Sequence, residues 1–596
     1  MRMLTCRFLI EQRLARAGFM EDQGLSELGF VLSVTGSQAA VRLHATDHTR
    51  NRAESRVTIG KLIAVRTPAS SVVGVIAGLS GPGIDAGEHH SSDLSAQVDF
   101  LGEIINYGLP GAFFQRGVSE YPAVGDKIFA LNTDDISLIH HIAAGETINV
   151  GHLQMDPTVP AYINFDELLQ KHFAILGTTG VGKSSAVALI LREILLKKAN
   201  LRIFLLDPHN EYGHCFGEMA SVVSPKNLKL PFWLFNFEEI IDVFFRARPG
   251  AEEETEILSE LIPIAKARFA AAARGERVLL RKMAGTGYTA DTPVPYRISD
   301  LVELLNERMG KLENRSSWMK YHRLIARIET LGQDSRYAFM FDSLFVEDMM
   351  AKVLGDLFRL PIRDQPITVM QLAGLPAEVV DSVVSVLCRL AFELGVWSDG
   401  SVPLLVACEE AHRYAPADRK LGFGPTRKAL SRIAKEGRKY NVFLGVVTQR
   451  PADLDATILS QCSTVFAMRM ANDNDQAIVK SAVPDAGSSL IGFLASLGIR
   501  EAIAFGEGVA LPTRLRFGDL AKEFLPRHQS EARGRLEASE ILDEDFVEAV
   551  VDRWRESSTT SARSRLGMAA GQDIADFDNG LGSIEAFAAV PSKQQR

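Results

Sequence analysis

The stretch Ile175 to Ser184 reads ILGTTGVGKS and matches the phosphate-loop pattern G-x-x-x-x-G-K-[ST] at every fixed position. An apolar run, Phe173 to Leu176, feeds it, and a helix-like segment through Leu196 follows. That context turns a match into an argument. Three glycines let the backbone bend close to an anion, so that successive N–H groups and the start of the helix face it. The Lys183 ammonium, expected to stand exposed in the loop, reaches the β and γ phosphates, and the Ser184 hydroxyl suits Mg²⁺. The nucleotide set is therefore Gly177, Thr178, Thr179, Gly180, Val181, Gly182, Lys183, Ser184 and Ser185, with ATP and Mg²⁺ as the expected cofactors. A plain turn before a helix would need neither the lysine nor the hydroxyl.

A second constellation closes the apolar segment Leu404 to Cys408 with two adjacent acids, Glu409 and Glu410. Hydrolysis of a bound nucleotide calls for one carboxylate toward the metal and one to orient and polarise the attacking water. Glu409 is assigned to the metal and Glu410 to the water. A third stretch, Val446 to Pro451, ends a further apolar run on Gln449, placed to sense the γ-phosphate or position the water, or simply to cap a strand. Between the two lies Arg419 to Lys439, where Arg419, Lys420, Arg427, Lys428, Arg432, Lys435, Arg438 and Lys439 face the single acid Glu436. Such a segment offers cations to nucleic acid, lends an arginine to a neighbouring subunit, or is a solvated face.

These groups need a scaffold, and the pattern supplies one. From Asn164 onward, apolar strand-like runs alternate with helix-like segments: Leu201 to Leu206, Ile367 to Met370, Val402 to Cys408, Val442 to Thr448 and Thr464 to Met468. That is an α/β chain with a mainly parallel sheet and crossover helices. Before it, short alternating segments such as Gly29 to Val34, Ala39 to Leu43 and Val72 to Ala77, separated by turn residues, predict a β-barrel or sandwich. Within the core, between about residues 245 and 360, Leu301, Leu304, Leu305, Met309 and Leu312 recur at helical spacing, as does Trp318 to Leu331, so a helical insertion is expected. The boundaries are 1–155 for the barrel, 156–245 and 361–520 for the core, 246–360 for the insertion, 521–556 for C-terminal helices and 557–596 for a disordered tail.

Length and composition agree with this division: 596 residues, 46% hydrophobic and 23% charged, make a globular chain of several domains. The five cysteines form no C-x-x-C pair, so neither a zinc site nor a disulfide framework is expected, and a reducing cytoplasm fits. The apolar run Val379 to Leu390 is broken by Asp381 and Arg389, so no membrane span is expected. A net charge of -9 excludes a uniformly basic exterior but leaves room for a locally basic channel.

The strings HFAILGTTGVGKS, LLDPHNEY, CEEAHRYAP and SRIAKEGRKYNVFLGVVTQRP, in this order after a β-rich domain, resemble the HerA family of the HerA and FtsK superfamily over roughly residues 25 to 520. The resemblance implies a RecA-like P-loop NTPase core carrying a helical insertion and an N-terminal HAS-barrel-like domain. It also implies a homo-hexameric ring that draws double-stranded DNA through its pore as an ATPase, translocase or helicase. The implied partner is a NurA-like nuclease or, in antiviral defence operons, another effector enzyme such as a sirtuin-type or nuclease effector. By motif, Lys183 and Ser184 bind phosphate and Mg²⁺, Glu409 and Glu410 form the acidic pair, Gln449 is the sensor, and Arg432 or Arg438 is similar to the family's trans-acting arginine. Lys171 stands where many relatives carry arginine. No LSGGQ-like signature speaks for a transporter ATPase, and the acidic pair serves water better than the hydroxyl of a kinase substrate. A ring scaffold that assembles and gates an effector, with ATP only setting its state, is the competing reading. DNA-stimulated hydrolysis separates the two.

Overall fold

The structure is a computed structural model that describes residues 26–44, 57–81, 94–142, 145–245, 250–273, 287–311, 315–341, 346–375, 377–482 and 485–527, with 548 and 551. The expected tail at 557–596 and nearly all of the helices expected at 521–556 lie outside the described residues.

The first sheet contains β1 (Glu27–Val34), β2 (Gln38–Leu43), β3 (Leu62–Arg66), β4 (Ser70–Ser80), β5 (Leu94–Ile105), β6 (Phe113–Arg116) and β7 (Lys127–Ala130). Their order is β2-β1-β7-β3-β4-β5-β6, and a further antiparallel pairing of β2 with β5 closes six strands into a barrel with β6 attached at β5. Alternation does the folding here. Val31, Val41, Val65, Val72, Val98 and Ile128 fill the interior without exposure to solvent, and closure leaves few strand edges unpaired.

The second sheet adds β8 (Thr147–Leu153), β9 (Pro160–Asn164), β10 (Phe173–Leu176), β11 (Arg202–Asp207), β12 (Ala220–Val223), β13 (Ile367–Gln371), β14 (Leu404–Cys408), β15 (Val442–Thr448), β16 (Thr464–Met468), β17 (Glu501–Gly506) and β18 (Thr513–Phe517). Its order is β12-β13-β11-β14-β15-β10-β16-β17-β18-β8-β9. From β12 to β16 the pairs are parallel, and from β16 to β9 they are antiparallel. In the parallel half, β10, β14 and β15 are buried at every residue, as expected where helices cover both faces. The register sets Leu176 opposite Thr448, and Cys408 opposite Val446. Consequently the loops after β10, β14 and β15 all leave from one edge, the carboxyl edge, where open parallel sheets hold their ligands.

Two expectations are corrected. Thr147–Leu153, placed with the barrel by the boundary at 155, pairs instead with β18 in the large sheet, Leu153 facing Leu515. Within the core, β18 runs to Phe517, and Lys522–Phe524 makes a short 3-10 turn. The helix Met350–Phe358, assigned to the insertion, packs on the core, where the rings of Phe204 and Phe358 lie 5.5 Å apart.

Among the described residues, barrel, large sheet and covering helices form one compact unit, and Pro231–Trp233 with Phe244–Val346 form a second. In the second, helices Glu252–Ala273, Ile298–Met309 and Arg315–Gln333 pack on one another. Leu301, Leu304 and Leu305 make the buried stripe that their spacing predicts. No helix among the described residues is long and apolar enough to cross a membrane.

Candidate active site

The loop that follows β10 is shaped by its glycines. Gly182, at φ +95°, caps the helix Lys183–Lys197, and a Cβ there would lie 2.8 Å from Arg500 Cγ. Only glycine fits both demands. The loop is fastened on its other flank by Thr178, whose N–H and hydroxyl both donate to the Arg469 carbonyl, at 3.0 and 3.1 Å. Lys183 departs from expectation: it is 8% exposed and folds back so that Nζ donates to the Thr178 carbonyl at 3.0 Å. Burial holds its ammonium below the ordinary lysine range, while the carboxylates of Glu410, Glu409 and Glu211 oppose that shift.

Glu409 and Glu410 leave β14 side by side and are both buried. Glu409 Oε1 accepts from the Tyr212 hydroxyl at 2.9 Å and from the Ser184 hydroxyl at 3.5 Å. Its Oε2 is buried with no hydrogen-bond partner among the described residues. Burial, joined by the like charges of Asp207 and Glu211, pushes the Glu409 carboxyl well above the usual carboxylate range. A hydroxyl beside a buried carboxylate with a free oxygen is a hard-oxygen donor set, and these residues fit Mg²⁺. Glu410 stands at φ +51°, a left-handed backbone that costs a β-carbon-bearing residue energy and recurs at functional sites. Its Oε2 lies 3.3 Å from His412 Nδ1, which makes its hydrogen bond to Thr448 Oγ1 at 3.0 Å. Burial lowers the His412 pKa, with Glu410 opposing, which favours the neutral ring.

Gln449, one residue past β15, accepts a short hydrogen bond from Thr179 Oγ1 at the loop apex. Because β15 is inserted between β10 and β14, the sensor candidate sits between phosphate loop and acidic pair. A cleft of about 550 Å³ opens beside them, lined by Thr178, Thr179, Gln449, Arg450, Asn472 and Asp475 among others.

Thus Lys183, Ser184, Glu409, Glu410 and Gln449 converge. Arg432 and Arg438 do not. Arg432 is exposed on the helix Gly424–Glu436 with its guanidinium 4.3 Å over the Phe392 ring. Arg438 is exposed in the turn Gly437–Tyr440, just before β15, so the length of that strand, about 20 Å, separates it from Gln449. Lys171 is also apart, paired with Glu507.

Four contributors escaped the sequence reading. Asp207 accepts from the N–H groups of Glu211 and Tyr212, at 3.1 and 2.9 Å, and so folds the loop that delivers the Tyr212 hydroxyl to Glu409. His412 and Arg500 are the others. Tyr212 and His412 lie inside the strings LLDPHNEY and CEEAHRYAP, but a residue type one turn beyond a strand carries no signal of where its tip goes.

A family model described as Helicase HerA, central domain, matches residues 148–391. A probable helicase of Methanocaldococcus jannaschii is 27% identical over 476 residues, 77% of this chain and 82% of that protein. The DNA double-strand break repair helicase HerA of Pyrococcus furiosus is 26% identical over 481 residues, 74% of this chain and 79% of that protein. Among solved structures, VirB4 of Thermoanaerobacter pseudethanolicus is similar with a TM-score of 0.44 at 14% identity, covering 64% of this chain and 99% of that one. The chain is thus similar to the HerA helicases over its central region and most of its length, and it is an ATP-hydrolysing enzyme.

Proposed function

We propose that this chain is the motor subunit of a homo-hexameric ring that moves double-stranded DNA at the expense of ATP. The observation that carries the reading is the meeting of Ser184, Glu409, Glu410 and Gln449 at one sheet edge, with Arg432 and Arg438 held away from it. Lys183 and the N–H groups of the loop bind and orient the phosphates. Ser184 and Glu409 would hold Mg²⁺, which when bound offsets phosphate charge. Glu410 takes up a proton from the attacking water, and Gln449 keeps that water in line. A nucleophile bound in this way reacts as if within one molecule, which is worth several kcal/mol of barrier.

The relatives named as DNA repair helicases support DNA as the substrate. A local basic surface on a chain of net charge -9 suits it, because each phosphate contact releases a counterion. The partner proposed is a NurA-like nuclease or another effector enzyme, in end processing or antiviral defence. The test is ATP turnover by the purified chain with and without linear duplex DNA, alongside its mass in solution. Turnover that rises several-fold with duplex DNA, in a particle of six subunits, is the expected result. Turnover indifferent to DNA, with effector activation that survives loss of hydrolysis, would replace translocation by a gating ring.

A further inference from the structure

Arg500 is out of place as a purely structural residue. It sits at φ +63°, a left-handed backbone that glycine adopts freely and arginine does not, at the entry to β17. Its N–H donates to the Val181 carbonyl at 2.8 Å, so the strained residue is pinned directly to the phosphate loop. Its carbonyl accepts from the Phe517 N–H at 2.9 Å, tying the same point to β18. From there the side chain runs along Gly182, with Cγ 2.8 Å from where a Cβ of that glycine would be. Gly182 is the cap of the helix whose first N–H groups face the phosphates.

The guanidinium currently pairs with Asp519, a carboxylate on a side chain that is 84% exposed. An ion pair so open to water is weakly held. Arg516 also bears on Asp519 electrostatically, so the acid keeps a cationic neighbour if Arg500 leaves. A diphosphate offers the fork of an arginine a better match than a lone exposed carboxylate does, because two of its N–H groups engage phosphate oxygens at once.

We infer that Arg500 is a nucleotide-positioning residue supplied by the same chain, which exchanges Asp519 for the α,β-diphosphate of the bound nucleotide. This rests on the nucleotide reading of the loop Gly177–Ser184. The strain at Arg500 is what aims the side chain across Gly182, and Asp519 holds it beside the site in the meantime. The γ-phosphate is left to Lys183, Gln449 and a residue from outside the subunit. ADP and ATP therefore depend on Arg500 equally.

The experiment measures ADP and ATP dissociation constants with Mg²⁺ for the full chain and for Arg500→Ala, Arg500→Lys, Arg500→Gly, Asp519→Asn and Lys183→Ala, with thermal unfolding of each. Arg500→Ala is expected to weaken ADP and ATP by the same factor, about tenfold, as for loss of a charge-assisted hydrogen bond. Arg500→Gly should weaken both as much while unfolding no earlier than the parent, since glycine relaxes the backbone and removes only the guanidinium. Asp519→Asn should tighten both by about twofold by freeing the arginine. Parental ADP binding in Arg500→Ala overturns the inference, and so does weakened binding only in variants that unfold early. If the parent binds neither nucleotide, or Lys183→Ala binds as the parent does, the loop reading itself fails and the inference falls with it.

Discussion

The Tyr212 hydroxyl donates a 2.9 Å hydrogen bond to Glu409 Oε1, joining the loop after β11 to the end of β14 in the floor of the site. Tyr212 is wholly buried, and burial beside Glu409 and Asp207 pushes its phenol well above the ordinary range, so it stays a donor. Tyr212→Phe would keep the packing and delete the bond. The expected cost is about 1–3 kcal/mol of stability, as for a buried polar group left short of a partner. The metal requirement should rise as well, because Glu409 loses the contact that aims it. Thermal unfolding and the Mg²⁺ dependence of turnover check this, and a variant unchanged in both would make the bond incidental.

Glu410→Gln should bind ATP and fail to hydrolyse it. The amide keeps the shape of the side chain and the αL backbone at this position but cannot accept a proton. General-base losses run to about 10²–10⁴ in rate. Glu409→Gln should instead turn over when Mg²⁺ is raised. Filter binding and steady-state turnover distinguish the two. The opposite pattern, an active Glu410→Gln and a dead Glu409→Gln, would exchange the roles.

The chemistry was largely legible in the sequence, and its surroundings were not. Gly177, Gly182, Lys183 and Ser184 are fixed in type and spacing by what a phosphate requires, and Glu409 and Glu410 by what water and Mg²⁺ require. The strands that carry them read clearly because β10, β14 and β15 are buried throughout. The antiparallel wing is another matter. Thr147–Leu153 alternates just as a barrel strand does, and its partner β18 lies more than 350 residues away in the chain, with Leu153 facing Leu515. Nothing local could announce that pairing. The burial of Lys183 was missed for a related reason. Exposure in a glycine loop is the local expectation, whereas the Thr178 carbonyl that receives Nζ is presented by the fold of the loop.

Glu409 makes stability depend on pH in a direction opposite to most acids. Its pKa in the folded chain is raised above the ordinary carboxylate value, so the fold binds this proton more tightly than the unfolded chain does. Stability from this group is therefore fully present below the ordinary value and is lost as pH rises through the raised one. At about pH 8, without Mg²⁺ or nucleotide, Glu409→Gln should unfold several degrees above the parent. The gap should close as the pH falls toward about 4.5, where an ordinary glutamate is half protonated. Differential scanning calorimetry in chelator measures it, and a gap that widens on acidification would contradict the assignment.

The site is expected to be completed across a subunit boundary by Arg438. Transfer of the γ-phosphoryl group to water spreads charge over oxygens that one lysine and Mg²⁺ do not fully offset, and an added arginine can be worth about 10³–10⁵ in rate. Neither Arg432 nor Arg438 reaches the phosphate loop of its own chain, since both lie away from the carboxyl edge that carries it. Arg432 is engaged over Phe392, while Arg438 stands exposed in a turn held by Gly437, where a Cβ would meet the Val442 carbonyl at 2.3 Å. A rigid turn with an exposed guanidinium is the better finger. Arg438→Ala and Lys183→Ala should each abolish turnover alone. Mixed after demonstrable subunit exchange, they form interfaces that pair an intact Lys183 with an intact Arg438, and part of the turnover should return. If mixing restores nothing with Arg438→Ala but does so with Arg432→Ala, the finger is Arg432. Recovery with neither would mean that no arginine from this segment acts in trans.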